Sequence, residues 1–294
     1  MKHQAALHRY TTAAVASAGK IIDEYSTSFG LASRFLGKAT RRDIGNIYAL
    51  VRLADEIVDG VAQEAGLDLQ ATAAELDRLE TQTEAALATG YSTNLVVHAF
   101  VSTARKHGIT SDLTRPFFRS MRADLHHDQH TAESLADYIY GSAEVVGLMC
   151  LAVFQDMPGT DTSDNDLLTT SAQRLGAAFQ KINFLRDLAT DYEFLGRSYF
   201  PGVDPADFGE DQKRHLVSDI RTDLAAAKPG IQKLDQRARM GVEMAHRLFS
   251  ELAETLDNQA ACELMLRRVR VTNRRKLAIA AHTVSTTLLK KTPS

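Results

Sequence analysis

The chain has 294 residues, 44% of them hydrophobic and 24% charged, with a formal net charge of −3. Those values exclude wholesale disorder, a fibrous repeat and a molecule that is basic throughout. Two cysteines, Cys150 and Cys262, are too few for a disulfide framework or a four-thiolate metal site, and they fit a reducing cytoplasm.

Six prolines leave long spans without a helix breaker. Apolar spacing at i, i+3, i+4 and i+7 predicts helices over 12–25, 40–61, 68–89, 94–107, 112–126, 132–155, 165–195, 210–227, 230–256 and 259–290. Asp68, Asp112 and either Ser163 or Asp164 are the expected N-caps. Gly90, Gly108 and Gly196 are the expected stops. Loops are expected over 156–163 and 196–205, where Pro, Gly, Asp and Thr cluster. No alternating run demands a sheet, and no repeat or Gly/Ser linker divides the chain. The expectation is one all-α domain over residues 1–294. No uninterrupted apolar stretch reaches the roughly 18 residues that span a bilayer. Thr11, Thr12 and Ser17 interrupt the early alanines, so a signal peptide is not expected. A cytoplasmic chain is the default.

On the helix near 40–61, Tyr48, Arg52, Asp55 and Asp59 fall within a sector of about 60°. Ile44, Ile47, Leu50, Val51, Leu53, Ala54, Ile57 and Val58 cover most of the remaining circumference. A helix apolar nearly all round is buried, so the polar stripe is expected to face inward. The helix near 165–195 repeats the design: Gln180, Asn183, Asp187 and Asp191 lie within about 80°. A lone carboxylate pair at i, i+4 ordinarily marks a solvated face. Two such stripes on buried helices concentrate carboxylates that burial makes costly unless something compensates them. Arg52 neutralises one charge, while Asp55, Glu56 and Asp59 leave an excess. The natural compensator is a hard divalent cation, and Mg²⁺ binds through one or two carboxylates plus substrate phosphates. Charge at one end and long apolar walls point to a prenyl diphosphate.

The stretch from Tyr48 through Arg52, Asp55, Glu56 and Asp59 to Gly60 resembles the first aspartate-rich motif of the phytoene and squalene synthases. The stretch from Gln180 through Asn183, Arg186 and Asp187 to Asp191 resembles their second. Ser26-Thr27-Ser28-Phe29, Met121 to Leu125, Tyr138 to Gly147 and Gly196 to Pro201 resemble further segments of that family in its order. The resemblance implies a head-to-head prenyl transferase of the all-α isoprenoid synthase fold, a helical bundle around a central cavity. It implies that Mg²⁺, with Mn²⁺ as a substitute, is held by Asp55, Asp59, Asn183, Asp187 and Asp191. Arg52, Arg186 and Arg197 would contact diphosphate oxygens, for which a guanidinium fork is suited. Tyr48, Tyr138, Gln180 and Tyr199 would line the reacting centre, and Ser26, Ser28, Phe29, Ala143 and Gly147 would belong to the substrate-binding wall. The implied reaction joins two geranylgeranyl diphosphates into phytoene through a cyclopropylcarbinyl diphosphate. Dehydrosqualene or squalene synthesis from farnesyl diphosphate is the alternative, and a non-catalytic helical relative acting in assembly is a third. All four motif aspartates are present, which disfavours the last. The chain departs from the family pattern at Thr27, Glu144, His130 and Cys262-Glu263.

Three other constellations carry less. His126 and His130 have an i, i+4 metal spacing without the following Glu, and an exposed loop is expected there. Gly141 and Gly147 lack the strand-turn-helix context of a dinucleotide loop, so no NADPH site is expected. Six basic residues fall within 267–276, without interleaved aromatics. A solvated or interfacial face is expected there rather than nucleic-acid binding, with acidic lipid or a second diphosphate as the other readings. A water-insoluble product makes peripheral membrane association physically sensible.

Overall fold

The structure, a computed structural model, describes residues 2–26, 28–126, 130–195, 199–203, 207–266 and 268–289; side chains are described over the same stretches less 2–4, 28, 191–195, 273 and 284–289. Among the described residues every regular element is helical and no strand occurs. Helix α1 (Lys2–Tyr25) starts ten residues before its expected position. Tertiary bonds account for the difference. The Tyr10 hydroxyl donates to the Ser92 and Thr93 carbonyls at 2.9 and 3.1 Å, and Thr11 bonds the His98 ring at 2.9 Å. A short helix, α2 (Ser28–Ser33), was not expected.

Helix α3 (Lys38–Val58) carries the first acidic stripe and ends where Gly60 takes φ +110°, a conformation that needs no Cβ. After the short α4 (Val61–Glu64), α5 (Leu69–Thr89) begins at its expected cap, the Asp68 carboxylate accepting from the Ala71 N–H at 2.7 Å. Helices α6 (Leu95–His107) and α7 (Ser111–Ala123) follow. Thr110, not Asp112, caps α7, because its hydroxyl accepts the Asp112 N–H.

The expected helix over 132–155 is three pieces in one rod: α8 (Ala132–Ile139), a π-helical turn at Tyr140–Glu144, and α9 (Val145–Gln155). By length and composition this rod, Ala132–Gln155, could cross a membrane; 44% of its apolar window is buried against neighbouring helices. Helix α10 (Asn165–Leu195) carries the second acidic stripe, capped by Asp164, whose carboxylate accepts from the Leu167 N–H at 3.0 Å.

The structure corrects both the break expected at 228–229 and the continuous helix expected over 259–290. Helix α11 (Glu210–Lys233) runs straight through Pro229, and α12 (Gln236–Asp257) starts behind the Asp235 cap. Proline in a helix interior ordinarily breaks the ladder. Here the Ser171 hydroxyl of α10 donates to the Ala226 carbonyl at 3.4 Å and accepts the Gly230 N–H at 3.1 Å. It stands between the two groups that would otherwise bond each other directly. The C-terminal region is α13 (Ala261–Leu264), a non-helical span and α14 (Asn273–Leu289).

Two main cores hold the bundle. Ile44, Leu50, Phe100, Phe117 and Phe118 anchor one, under α3, α6 and α7; Ile182, Leu185, Ile220 and Leu256 anchor the other, between α10, α11 and α12. α3 and α10 face each other across the space between these cores, and the cavity lies there.

Candidate active site

The cavity has a volume of about 1040 Å³, at the upper end of what small-molecule sites offer. Tyr48, Val51, Arg52, Asp55 and Asp59 reach it from α3, and Gln180, Asn183, Arg186 and Asp187 from α10. The two stripes predicted from spacing therefore share one space. Leu168 also lines it, so along α10 the wall runs about 28 Å at 1.5 Å per residue, from Leu168 to Asp187. The charged groups gather at one end. Leu36, Leu151, Phe154, Leu168, Ile231 and Leu234 line the other parts.

Ser26, Phe29, Ala143, Gly147, Tyr138 and Tyr199 line the same cavity. Ser28 and Asp191 have side chains outside the described residues, and Arg197 lies outside them entirely. Ala143 and Gly147 act by closeness of backbone. A Cβ on Gly176 would sit 2.6 Å from the Ala143 carbonyl oxygen, and one on Gly147 would sit 2.6 Å from that of Ala172. Glycine at both positions lets α10 touch the π turn and α9 directly. Gly141 likewise has no room for a side chain, because the Pro116 carbonyl fills it; it is a packing glycine, as the missing strand context implied.

The electrostatics are unbalanced at the charged end. Arg52 is taken by Glu56 and stacks over the Tyr25 ring at 4.8 Å. Asp55 therefore faces Asp59 and Asp124 with little help, and burial together with those two charges pushes its pKa up to about 8. Asp124 of the segment after α7 is 8% exposed and accepts hydrogen bonds from the Tyr138 hydroxyl at 2.8 Å and the Tyr199 hydroxyl at 3.4 Å. Burial and the Asp124 charge raise the Tyr138 phenol well above its ordinary range, so it stays protonated. Tyr48 stacks on Phe29 with ring centroids 5.6 Å apart, and burial raises its pKa also.

Across from α3, Asp187 is held by two guanidinium groups. Arg186 folds back onto it at 2.5 Å, and Arg268, from the span before α14, reaches it at 2.6 Å. Arg270 and Lys276 line the cavity beside them, and burial, helped by the charges of Arg270 and Arg186, lowers the Lys276 pKa. The basic run expected to be a solvated face thus contributes three cations to the cavity. No sequence spacing linked it to the acidic motifs, since it follows Asp187 by some eighty residues. Asp124 was also missed as a site residue; only its place in a resembling segment pointed to it.

His130 is not the exposed loop residue expected. Its ring stacks on Tyr199 at 5.8 Å and leans on Tyr138 at 5.1 Å, with Nδ1 3.2 Å from the Ser134 hydroxyl in the first turn of α8. Among the described residues, no three His, Cys, Asp or Glu side chains form a ready-made metal cage.

The squalene/phytoene synthase family model matches residues 22–275. The chain belongs to that family. Its relatives include a phytoene synthase of Pseudescherichia vulneris, 28% identical over 247 residues that cover 77% of each chain. A chloroplastic phytoene synthase 1 of Zea mays is 30% identical over 80% of this chain, which spans 55% of that longer protein. In three dimensions the chain is similar to a crystal structure of a dehydrosqualene synthase in complex with ligand, with a TM-score of 0.79, 22% identity and coverage of 97% of this chain and 99% of that one. That likeness shows the all-α isoprenoid synthase fold, as the sequence resemblance implied.

Proposed function

We propose that this chain joins two prenyl diphosphates head to head, and that its substrates are two C20 diphosphates joined into phytoene. The observation that carries the reading is one cavity with carboxylates and guanidinium groups at one end and an apolar wall along α10. Family membership and the phytoene synthase names of its relatives support it. Walls drawn from Ser26 near one terminus and Lys276 near the other support reading 1–294 as one domain.

The residues present suit a hard divalent cation. Every candidate ligand offers oxygen, and burial together with the charges of Asp59 and Asp124 lifts Asp55 to about 8, a cost that a bound cation would relieve. A bound Mg²⁺ would take its further ligands from substrate phosphates and water. Asp55, Asp59, Asn183, Asp187 and Asp191 would hold it. When bound, Mg²⁺ supplies Lewis-acid neutralisation of the diphosphate leaving group.

The chain's own residues do the rest. Arg52, Arg186, Arg197, Arg268 and Lys276 bind the two diphosphates and keep the departing one from returning. The allylic C–O bond breaks heterolytically, and the pair of electrons leaves with the diphosphate. The C2–C3 double bond of the second molecule attacks the allylic cation and closes a cyclopropane. Loss of the second diphosphate and rearrangement give the 1-1′ bond. Phe29, Tyr48, Tyr138 and Tyr199 offer aromatic faces to the positive carbon, and the apolar wall keeps water from quenching it. Gln180 and Asn183 orient the substrate between the stripes. Proton loss ends the sequence, a step that needs no hydride donor. The reducing compartment that suits two unpaired cysteines supports a cytoplasmic site of action.

Purified protein incubated with Mg²⁺ and either the C15 or the C20 diphosphate, followed by hydrocarbon extraction, tests the reading. The C20 substrate should give phytoene, and Asp187→Ala should lower turnover at least about 100-fold with helix content unchanged. A C30 hydrocarbon alone would reassign the substrate. No hydrocarbon from either would overturn the function.

A further inference from the structure

Among the described residues, the two most exposed large apolar side chains are Leu266 at 82% and Leu277 at 66%. They bracket a stretch that holds six basic residues and no acidic one, in a chain whose net charge is −3. The stretch lies at the charged end of the cavity, which Arg268, Arg270 and Lys276 help to line. Lys276 and Leu277 also face a side recess of about 350 Å³ with Asp23, Ser26, Gly30, Leu31 and Arg34. Tyr25, half exposed and on the cavity wall, stands on the same rim.

We propose that this rim docks on an anionic lipid surface. Leu266 and Leu277 enter the acyl boundary, while Arg270 and Arg274 face headgroup phosphates. A single exposed leucine is ordinary on any protein. Two that flank a stretch with six basic residues and no acidic one supply the two signals, apolar insertion and positive charge, that stable peripheral binding requires. The charge match selects a membrane over a neutral apolar partner. It also selects it over a nucleic acid, since phosphate backbones give exposed leucines nothing to bury them. With the rim on the membrane, the cavity opens toward the phase that dissolves prenyl chains and the hydrocarbon made from them. That last consequence rests on the proposed function; the docking itself does not.

The test is co-sedimentation of the full chain with vesicles of phosphatidylcholine alone and of phosphatidylcholine mixed with phosphatidylglycerol. Binding to the mixed vesicles and not to the neutral ones is expected. Leu266→Ser with Leu277→Ser should weaken it at least about tenfold, and Arg274→Gln about fivefold. Turnover of detergent-dispersed substrate should stay at the wild-type level in both variants. Equal binding to both vesicle types would overturn the proposal, as would no binding to either. So would unchanged binding of the double-leucine variant with loss in high salt, the signature of a purely electrostatic patch. A chain that binds mixed vesicles yet makes no hydrocarbon would refute the proposed function and leave the docking surface standing.

Discussion

Arg268 Nε lies 2.6 Å from Asp187 Oδ1, while Arg186 grips the same carboxylate at 2.5 Å. A residue proposed to hold Mg²⁺ is thus paired with two residues proposed to hold diphosphate. The three groups keep one another compensated until substrate arrives, and the half-exposed Arg268 can change partner without disturbing the core. Arg268→Gln should lower kcat/KM about 10- to 100-fold, the loss of one charge-assisted hydrogen bond. KM should carry most of the change, and the circular dichroism spectrum should match the wild type. An unchanged KM would place Arg268 outside the diphosphate site.

Asp55 ties stability to pH in a stated direction. Its pKa is about 8 in the folded chain against an ordinary 3.8. The folded form therefore keeps a proton that the unfolded form releases. That contribution to stability is full below about pH 4 and is lost progressively as pH rises toward 8. Metal-free protein should melt at a lower temperature at pH 8 than at pH 6. Mg²⁺ should restore more of the loss at the higher pH. Asp55→Asn should flatten this dependence and raise the melting temperature of the metal-free chain at pH 8, while removing activity. Thermal melts across pH, with and without Mg²⁺, read all three outcomes.

Ser171 should be worth more than an ordinary surface serine. Ser171→Ala removes both hydrogen bonds that tie α10 to α11 at this point, and should cost about 1 kcal/mol. Gly230→Ala would bring a Cβ to 2.4 Å from that of Ser171, and should cost about 1–3 kcal/mol by overpacking. The two losses should not add, because each substitution disrupts the same contact. Urea denaturation of the single and double variants measures the coupling.

The two cysteines should differ sharply toward alkylating agents. Cys150 lines the cavity, and burial pushes its thiol up to about 12. Cys262 is exposed. The thiolate is the reacting form, so iodoacetamide at pH 8 should modify Cys262 at least about 100-fold faster. Peptide mass spectrometry over a time course separates the sites, and equal rates would contradict the placement of Cys150 inside the cavity.

Helical spacing made the acidic stripes legible because Tyr48 to Asp59 and Gln180 to Asp187 each lie on one rod, where residue number converts directly into angle. It could not place Asp124 or Arg268, which come to the site from spans outside those rods. Their positions depend on how the chain turns after α7 and before α14. The same limit explains Pro229. Locally it is a breaker, yet α11 continues through it, and the backbone beside it is held by Ser171 from another helix. His130 was misjudged for a related reason. Its polar neighbours suggest a loop in water, whereas its ring rests on Tyr138 and on Tyr199 from beyond α10.

The serine that bridges α10 and α11 has a consequence for how substrate length is gauged. Ser171, Leu168, Gly230 and Ile231 all face the cavity, so the shared hydroxyl fastens two of its walls together at one height. Sliding either helix by a turn breaks both hydrogen bonds of that hydroxyl. The distance from that rivet to Asp187 is therefore set by the rise of a single α-helix, and the cavity measures a hydrocarbon tail as a rigid ruler rather than an elastic sleeve.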